Sequence, residues 1–437
     1  MSKNIKADVV IIGGGIGGLL CSALLARYGY KVIVLEKLSF PGGRYTTLER
    51  EGYKINTGAW AVGLHGTNGP LWKLLVDLGV EIETRIPEPQ HAHLWVMGKD
   101  IPLPKKGQFR TIIEAISKNR KESERVLNAT RQALKWQEPS DEIMCDQWLF
   151  QYTDNVLIHG QFDFFSRAMT GTYYSDFPAG EYFRLLGSFG QCGSVTAMPK
   201  NGQKSTIDAL LVHLDRGKVD LFLETEAVKV VCEQSKVKGV IATGGPRGQI
   251  EIDTDIVISD VGPKETVKLV GKDRFDAGYL REVEMVNETR AVVTIFGYDK
   301  PIVDYQSHIQ FIELDRLSTA WEPCHIWPDY APRGKQCLYT YSTIKTDDTA
   351  KELELIVEQC VSQFPALQRA QIIANLVYKG EWPILRAKPG HCLKFRTPIY
   401  GLYLAGDAVN VSGWTCGEGI SLSCLRIEED IKKRFPR

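Results

Sequence analysis

Residues 8–44 read DVVIIGGGIGGLLCSALLARYGYKVIVLEKLSFPGGR, an order of elements that few folds accommodate. Residues 9–12 are a run of apolar β-branched side chains, the pattern of a strand covered on both faces of a parallel sheet. Gly13, Gly15 and Gly18 then fill the three slots of G-x-G-x-x-G. The first serves a tight turn, the second lets backbone approach a pyrophosphate, and the third lets a helix pack against the strand. The spacing predicts a helix over 19–28, following Ile16 and Gly17, with its N-terminal N–H groups facing that pyrophosphate. A second strand over 32–35 ends in Glu36, followed by Lys37. The Glu36 carboxylate can accept both hydroxyls of a ribose that carries no 2′-phosphate. Glycine clusters alone often mark only turns. Here strand, glycines, helix, strand and acid follow in order within one βαβ-sized unit, so a dinucleotide site is expected.

The next residues, Pro41-Gly42-Gly43-Arg44, resemble the G-G-R extension of the flavin-containing amine oxidase and phytoene desaturase superfamily. Further segments match it: Gly58-Ala59 after a hairpin strand, Asp260-Val261-Gly262-Pro263 after a buried strand, Gly406-Asp407 at the end of 401–407, and a helix over 417–432. One departure is Asn201, which stands where the family's P-x-G-G usually has its first glycine. The resemblance implies FAD rather than NAD, with Gly42, Gly43 and Arg44 at the pyrophosphate and Gly58 and Ala59 near the flavin. It also implies that Val228 packs on the adenine and that Asp407, after Gly406, holds the ribitol or pyrophosphate. Gly417, Gly419 and Ile420 would place a helix N-terminus at the flavin N1 and O2 edge. Cys392 reads as a loop thiol, so attachment is expected to be non-covalent.

The implied fold class is α/β: a Rossmann-like, glutathione-reductase-type FAD domain assembled from non-contiguous segments, with an α+β substrate domain built on a mixed or antiparallel sheet. The expected boundaries are 1–85, 195–272 and 385–437 for the first, and 86–194 and 273–384 for the second. A length of 437 residues allows two or three domains.

Charge narrows the partners. Lys plus Arg and Asp plus Glu are 53 each, so no global field draws the chain to nucleic acid. The ten cysteines include no C-x-x-C pair, and no His cluster has zinc spacing, so neither a disulfide framework nor a metal is expected. Residues 1–6 run straight into the first strand without a signal-peptide pattern, and no apolar run reaches membrane-spanning length. A cytoplasmic location is expected, with peripheral lipid contact if the substrate is apolar.

Several segments are open to two readings. The stretch 105–136 mixes basic and acidic residues, which fits a solvated helix face better than a basic patch. Residues 148–189 are rich in Trp, Phe and Tyr, which can build a core, a pocket wall, or both. Ala242-Thr243-Gly244-Gly245 mimics a nucleotide motif but sits at a polar turn, so it reads as a hairpin tip. Residues 93–103 predict a hairpin turning around Gly98, and 276–382 predict a second sheet with an amphipathic helix over 349–364. No second G-x-G-x-x-G appears, which argues against a separate NADPH domain.

The shared chemistry of the family is hydride transfer between a substrate carbon and flavin N5. The favoured reading is a desaturase, reductase or isomerase acting on a small, largely apolar substrate such as a polyene or isoprenoid. The alternative is an amine oxidase releasing imine and peroxide, and a third is a flavin-binding protein without turnover. Amine oxidases of the superfamily carry an aromatic before the final E-G, whereas here Cys416 and Gly417 precede Glu418-Gly419, so that wall is missing unless Trp414 supplies it. His65, in a glycine-flanked loop, is a weak catalytic candidate beside Trp414 and Cys416. The electron acceptor and the oligomeric state carry no sequence signal.

Overall fold

Val9–Ile12, the expected first strand, is the middle of a five-stranded parallel sheet and is wholly buried. A computed structural model describes residues 3–58, 61–88, 92–193 and 197–437. The strand order is Asp220–Phe222, Val32–Leu35, Val9–Ile12, Ile256–Ser259, Leu402–Leu404, so neighbours in the sheet come from opposite ends of the chain. In-register parallel pairing sets Val9 against both Val32 and Ile256. Strands covered on both faces need no polar alternation, and four consecutive apolar residues suffice.

The first helix runs Ile16–Arg27, three residues earlier than the predicted start. Gly15 is its extended N-cap, so Gly17 and Gly18 lie inside the first turn. A side chain at Gly18 would collide with the Gly13 carbonyl oxygen, which is why glycine stands there. Ile16 through Leu25 are all buried, because the helix packs between the sheet and the helices Lys204–Arg216 and Cys416–Arg434.

A second, seven-stranded sheet runs Gln371–Tyr378, Ala291–Tyr298, Gln336–Thr343, Leu317–Trp321, Ile309–Phe311, His93–Val96, Lys99–Pro102. It is antiparallel except where Ile309–Phe311 lies parallel to His93–Val96. The hairpin turns on Met97 and Gly98, both at positive φ (52° and 70°), the geometry of a two-residue turn matched to strand twist. Thr349–Gln363 is the amphipathic helix, and it covers part of this sheet.

The segment 105–136 is two helices, Gln108–Ile116 and Arg120–Lys135, separated where the Asn119 side chain accepts the Glu122 N–H at 3.0 Å. Its charges pair along the solvated face, as in Arg110 with Glu114 and Arg120 with Glu124. The hairpin-tip reading of Ala242–Gly245 is corrected in part: Ala242–Gly244 end the strand Lys236–Gly244, paired with Ala227, Glu226 and Thr225, and the turn to Ile250–Asp253 begins at Gly245. Asn201 adopts a left-handed φ of 61°, which Asn tolerates best among residues with a Cβ, so it replaces glycine at little cost.

The aromatic-rich stretch forms the helices Cys145–Phe150, Val156–Thr170 and Ala179–Cys192. Trp148, Phe162, Phe177, Tyr182 and Phe183 are buried together, packed largely edge to face. They build a core. No helix among the described residues is long and apolar enough to cross a membrane.

Candidate functional site

A cavity of about 350 Å³ lies between the two sheets, bounded on one side by the parallel sheet's C-terminal edge. Gly13, Gly15, Ile16, Gly17, Glu36 and Lys37 line its first end, with Thr225, Glu226 and Ala227 opposite. Glu36 Oε2 accepts the Gly14 N–H at 2.7 Å and Oε1 accepts the Leu38 N–H at 2.8 Å. A carboxylate has about four acceptor positions, so each oxygen keeps one for a ligand. Gly18 lies behind this wall and donates its N–H to Asp260 Oδ2 at 3.0 Å. Lys37 Nζ stands 3.7 Å from Glu381 at the exposed rim.

The expectation for Val228 is corrected. In the strand Thr225–Glu233 Thr225 and Ala227 face inward, so regular alternation turns Val228 outward, 46% exposed and outside the cavity wall, and a β-bulge between Ala227 and Lys229 interrupts the alternation only beyond it. Ala227 takes the wall position.

Four ionisable groups meet in the middle of the cavity. Arg44 donates from Nη1 to the Pro383 and Ile384 carbonyls at 2.8 and 2.7 Å and to Asp407 Oδ2 at 2.7 Å. Asp407 Oδ1 and Arg386 Nε are buried, line the same space and have no protein partner. Burial, and next the nearby Arg44 charge, hold the Arg386 guanidinium below its ordinary pKa. Asp260 completes the group. Its carboxyl is pushed up to about 7, first by burial, with the Gly18 N–H pulling the other way. Two orphaned polar atoms of opposite kind facing one cavity call for a ligand with both acceptors and donors.

The far end is framed by Gly42, Gly43, Gly58, residues 61–64, Gly406, Cys416, Gly417 and Ile420. Ala59, expected beside Gly58, lies outside the described residues. Gly419 is not in the wall. It abuts Asn410, where an added Cβ would come within 2.6 Å of Oδ1. Cys416 is in the wall at positive φ (52°), and burial pushes its thiol up to about 11, so it is no ready thiolate. Cys392 lies outside this cavity, and burial pushes it up to about 12.

Two weak catalytic candidates are removed. His65 is 1% exposed, with Nδ1 2.8 Å from the Gly193 carbonyl and Nε2 3.2 Å from Ser188 Oγ, and it packs against Phe189 and Trp414. Burial lowers its pKa, and it does not reach the cavity. Trp414 turns toward His65 and so supplies no cavity wall. Both are packing residues, because the loop that follows residues 61–64 folds back under the helix Ala179–Cys192 instead of over the ligand space.

Glu418 is a further residue with a specific task. Its buried carboxylate accepts the Leu71 N–H at 2.8 Å and the His65 N–H at 3.1 Å, tying the first turn of Pro70–Asp77 and the cavity-lining loop to the C-terminal helix. Glu418→Ala is expected to lower stability by about 1–3 kcal/mol, since two buried N–H groups lose their acceptor. A thermal melt unchanged from wild type would refute that role.

The seven-stranded sheet contributes Val293, Thr319, Tyr339, Thr340, Tyr341 and Tyr378 to the cavity, and the helix Val156–Thr170 contributes Ala168 and Met169. All are uncharged. Of the wall aromatics, Tyr339, Tyr341 and Tyr378 come from strands and Tyr45 and Trp382 from segments outside them, and none of the aromatics in 148–189 reaches the cavity. The Thr319 hydroxyl and the Asn56 amide nitrogen are buried at this wall without a protein partner.

A mixed α/β architecture with a glycine-lined cavity and a cluster of opposed charges suits the binding of a charged cofactor. The chain belongs to the flavin containing amine oxidoreductase family, whose family model matches residues 16–417. It is an FAD-dependent oxidoreductase. Its fold is similar to that of an oxidoreductase from Methanosarcina mazei, with a TM-score of 0.85 and 25% identity, covering 97% of this chain and 100% of that one. An uncharacterized protein of Methanocaldococcus jannaschii is 23% identical over 422 residues, 95% of this chain and 97% of that protein. A local match to the phytoene desaturase of Fusarium fujikuroi is 42% identical over 56 residues, 13% of this chain and 10% of that enzyme.

Proposed function

We propose that the protein transfers hydride between a carbon of a neutral, largely apolar small molecule and the N5 of a non-covalently held FAD. FAD, when bound, supplies the hydride-accepting or hydride-donating centre. The residues present fit it. The Rossmann-like turn at Gly13–Gly18 offers helix N–H groups to a pyrophosphate, Glu36 keeps acceptor positions for ribose, and Arg386 Nε and Asp407 Oδ1 await partners. Arg44 is placed beside the same space by Asp407. The N-terminus of Cys416–Arg434, with Gly417 and Ile420 in the wall, presents unpaired N–H groups to a developing negative charge.

The observation that carries the substrate class is the uncharged far wall. Among the described residues, every cavity residue from the seven-stranded sheet and from Val156–Thr170 is neutral. Burying an ammonium or carboxylate there without a counter-charge costs several kcal/mol. A hydrocarbon chain carries no such penalty, and the phytoene desaturase likeness points the same way. Mixing anaerobic holoprotein with polyenes, isoprenoid lipids, amines and amino acids, and following flavin absorbance and product mass, tests this reading. Bleaching by a neutral lipid is expected. Rapid bleaching by amines alone would establish the amine oxidase instead, and the family's own name keeps that arm in the panel.

Non-covalent attachment rests on the thiols. Cys416 is the one cysteine in the wall among the described residues, and it stays protonated at neutral pH. Acid precipitation is expected to leave the yellow colour in the supernatant. Colour in the pellet would mean a covalent bond.

A further inference from the structure

Asp260 is a carboxylate at an anion site. It follows the strand Ile256–Ser259 and reaches across the start of the helix Ile16–Arg27, where Gly18 donates its N–H to Oδ2. Only glycine permits this approach. A Cβ on Gly15 would stand 2.5 Å from Asp260 Oδ2, and one on Gly17 would stand 2.9 Å from Oδ1. The carboxyl therefore lies against the turn that is built to receive a pyrophosphate, and it forms part of the cavity wall.

The charge count there is unfavourable. Asp260 is faced by Asp407 from residues 406–409, by Arg44 from the glycine loop, by Arg386 from the segment after Trp382, and by the Cys21 thiol of the first helix. Before any ligand enters, two guanidiniums already face two carboxylates, and Arg44 is committed to Asp407. A dinucleotide pyrophosphate brings two more negative charges. Like charges in a desolvated site disfavour one another strongly, and a carboxyl relieves that by keeping its proton.

We propose that Asp260 receives the FAD pyrophosphate as a neutral carboxylic acid, so that cofactor loading takes up one proton and the ionised carboxylate opposes loading. This inference rests on the FAD reading above. The neutral acid becomes a hydrogen-bond donor to a phosphate oxygen, whereas the carboxylate can only accept. The sign follows from the free protein, in which the carboxyl already titrates at about 7 because burial favours the neutral form. A dianion raises that value further. Below about pH 6 the group is protonated with or without cofactor, and affinity is flat. Above about pH 7 each unit of pH weakens FAD binding toward tenfold, until the loaded form also ionises. The pyrophosphate is a diester and has no proton of its own to exchange near neutrality.

The test is calorimetric titration of FAD into full-length apoprotein at about pH 8, in two buffers of different ionisation enthalpy. Wild type is expected to take up close to one proton per FAD. Asp260→Asn keeps the shape and adds a donor, so it is expected to take up close to none and to bind FAD with an affinity that is flat from about pH 6 to about pH 9. Asp260→Ser serves the same comparison should the Asn variant not fold. Tight FAD binding by wild type without proton uptake would overturn this inference and leave the cofactor reading intact. Equal uptake by wild type and variant would overturn it by assigning the proton elsewhere. Failure of wild type to bind FAD at all would overturn both.

Discussion

Gly18→Ala is expected to purify colourless, with FAD affinity at least about a hundredfold weaker than wild type. The added methyl meets the Gly13 carbonyl oxygen, and neither backbone segment is free to yield. The Gly13 N–H is held by the Leu35 carbonyl at 2.8 Å, and the Gly18 N–H is held by Asp260 at 3.0 Å. Relief requires the helix to lift from the turn, which moves the N–H groups that face the pyrophosphate. Overpacking of this kind costs about 1–3 kcal/mol and more where backbone is the obstacle. The ratio of flavin to protein absorbance reads the result, and far-ultraviolet circular dichroism shows whether the fold persists. A folded Gly18→Ala protein that binds FAD as wild type does would show that this turn is not the cofactor turn.

The second large effect is expected at Asp407. Asp407→Ala removes the anion from a partly buried Arg44 and deletes the oxygen that awaits a ligand. The loss in FAD affinity is expected to be about 1–3 kcal/mol, or roughly fivefold to a hundred-and-fifty-fold. Glu36→Ala and Arg44→Ala are expected to fall in the same range, because each leaves polar groups of turn or cofactor unpaired. Fluorescence titration of FAD into the three apoproteins measures this. Three unchanged affinities would mean that the cavity has been assigned to the wrong ligand.

The glycine-turn end of the cavity was legible in the sequence and the far wall was not, for a physical reason. Gly13, Gly15, Gly18 and Glu36 sit at fixed offsets in a short contiguous unit, where backbone geometry alone dictates residue type. Arg386 carries no such signal, being a lone Arg in a loop that tertiary folding delivers to the cavity. Asp260 was visible as part of a post-strand loop, but its approach to Gly15 and Gly17 depends on pairing between strands some 240 residues apart. Val228 failed because Thr225 and Ala227 face inward and Val228 alternates outward, and which set of a strand's residues faces inward is fixed by tertiary packing that an apolar side chain at one position does not reveal. The aromatics of 148–189 stayed open to two readings because density does not distinguish core from wall. Tyr339, Tyr341 and Tyr378 form the wall from strands whose buried faces look alike in sequence.

The order of the parallel sheet also has a consequence for how the chain acquires its cofactor in time. Val9–Ile12 waits for Ile256–Ser259, which in turn waits for Leu402–Leu404, and the cavity wall is finished only by Gly417 and Ile420. During synthesis the glycine turn therefore emerges early, its strand paired on one side with Val32–Leu35 and unpaired on the edge that takes Ile256–Ser259, which is still to be made. Such long-range parallel pairing is slow, and exposed edges favour misassociation in the interval. On the proposed cofactor placement, free FAD is not expected to rescue the nascent chain, because the cavity does not exist until nearly all of the residues have been joined. Refolding from denaturant is accordingly expected to show a slow phase whose rate is independent of FAD concentration, with flavin capture following it.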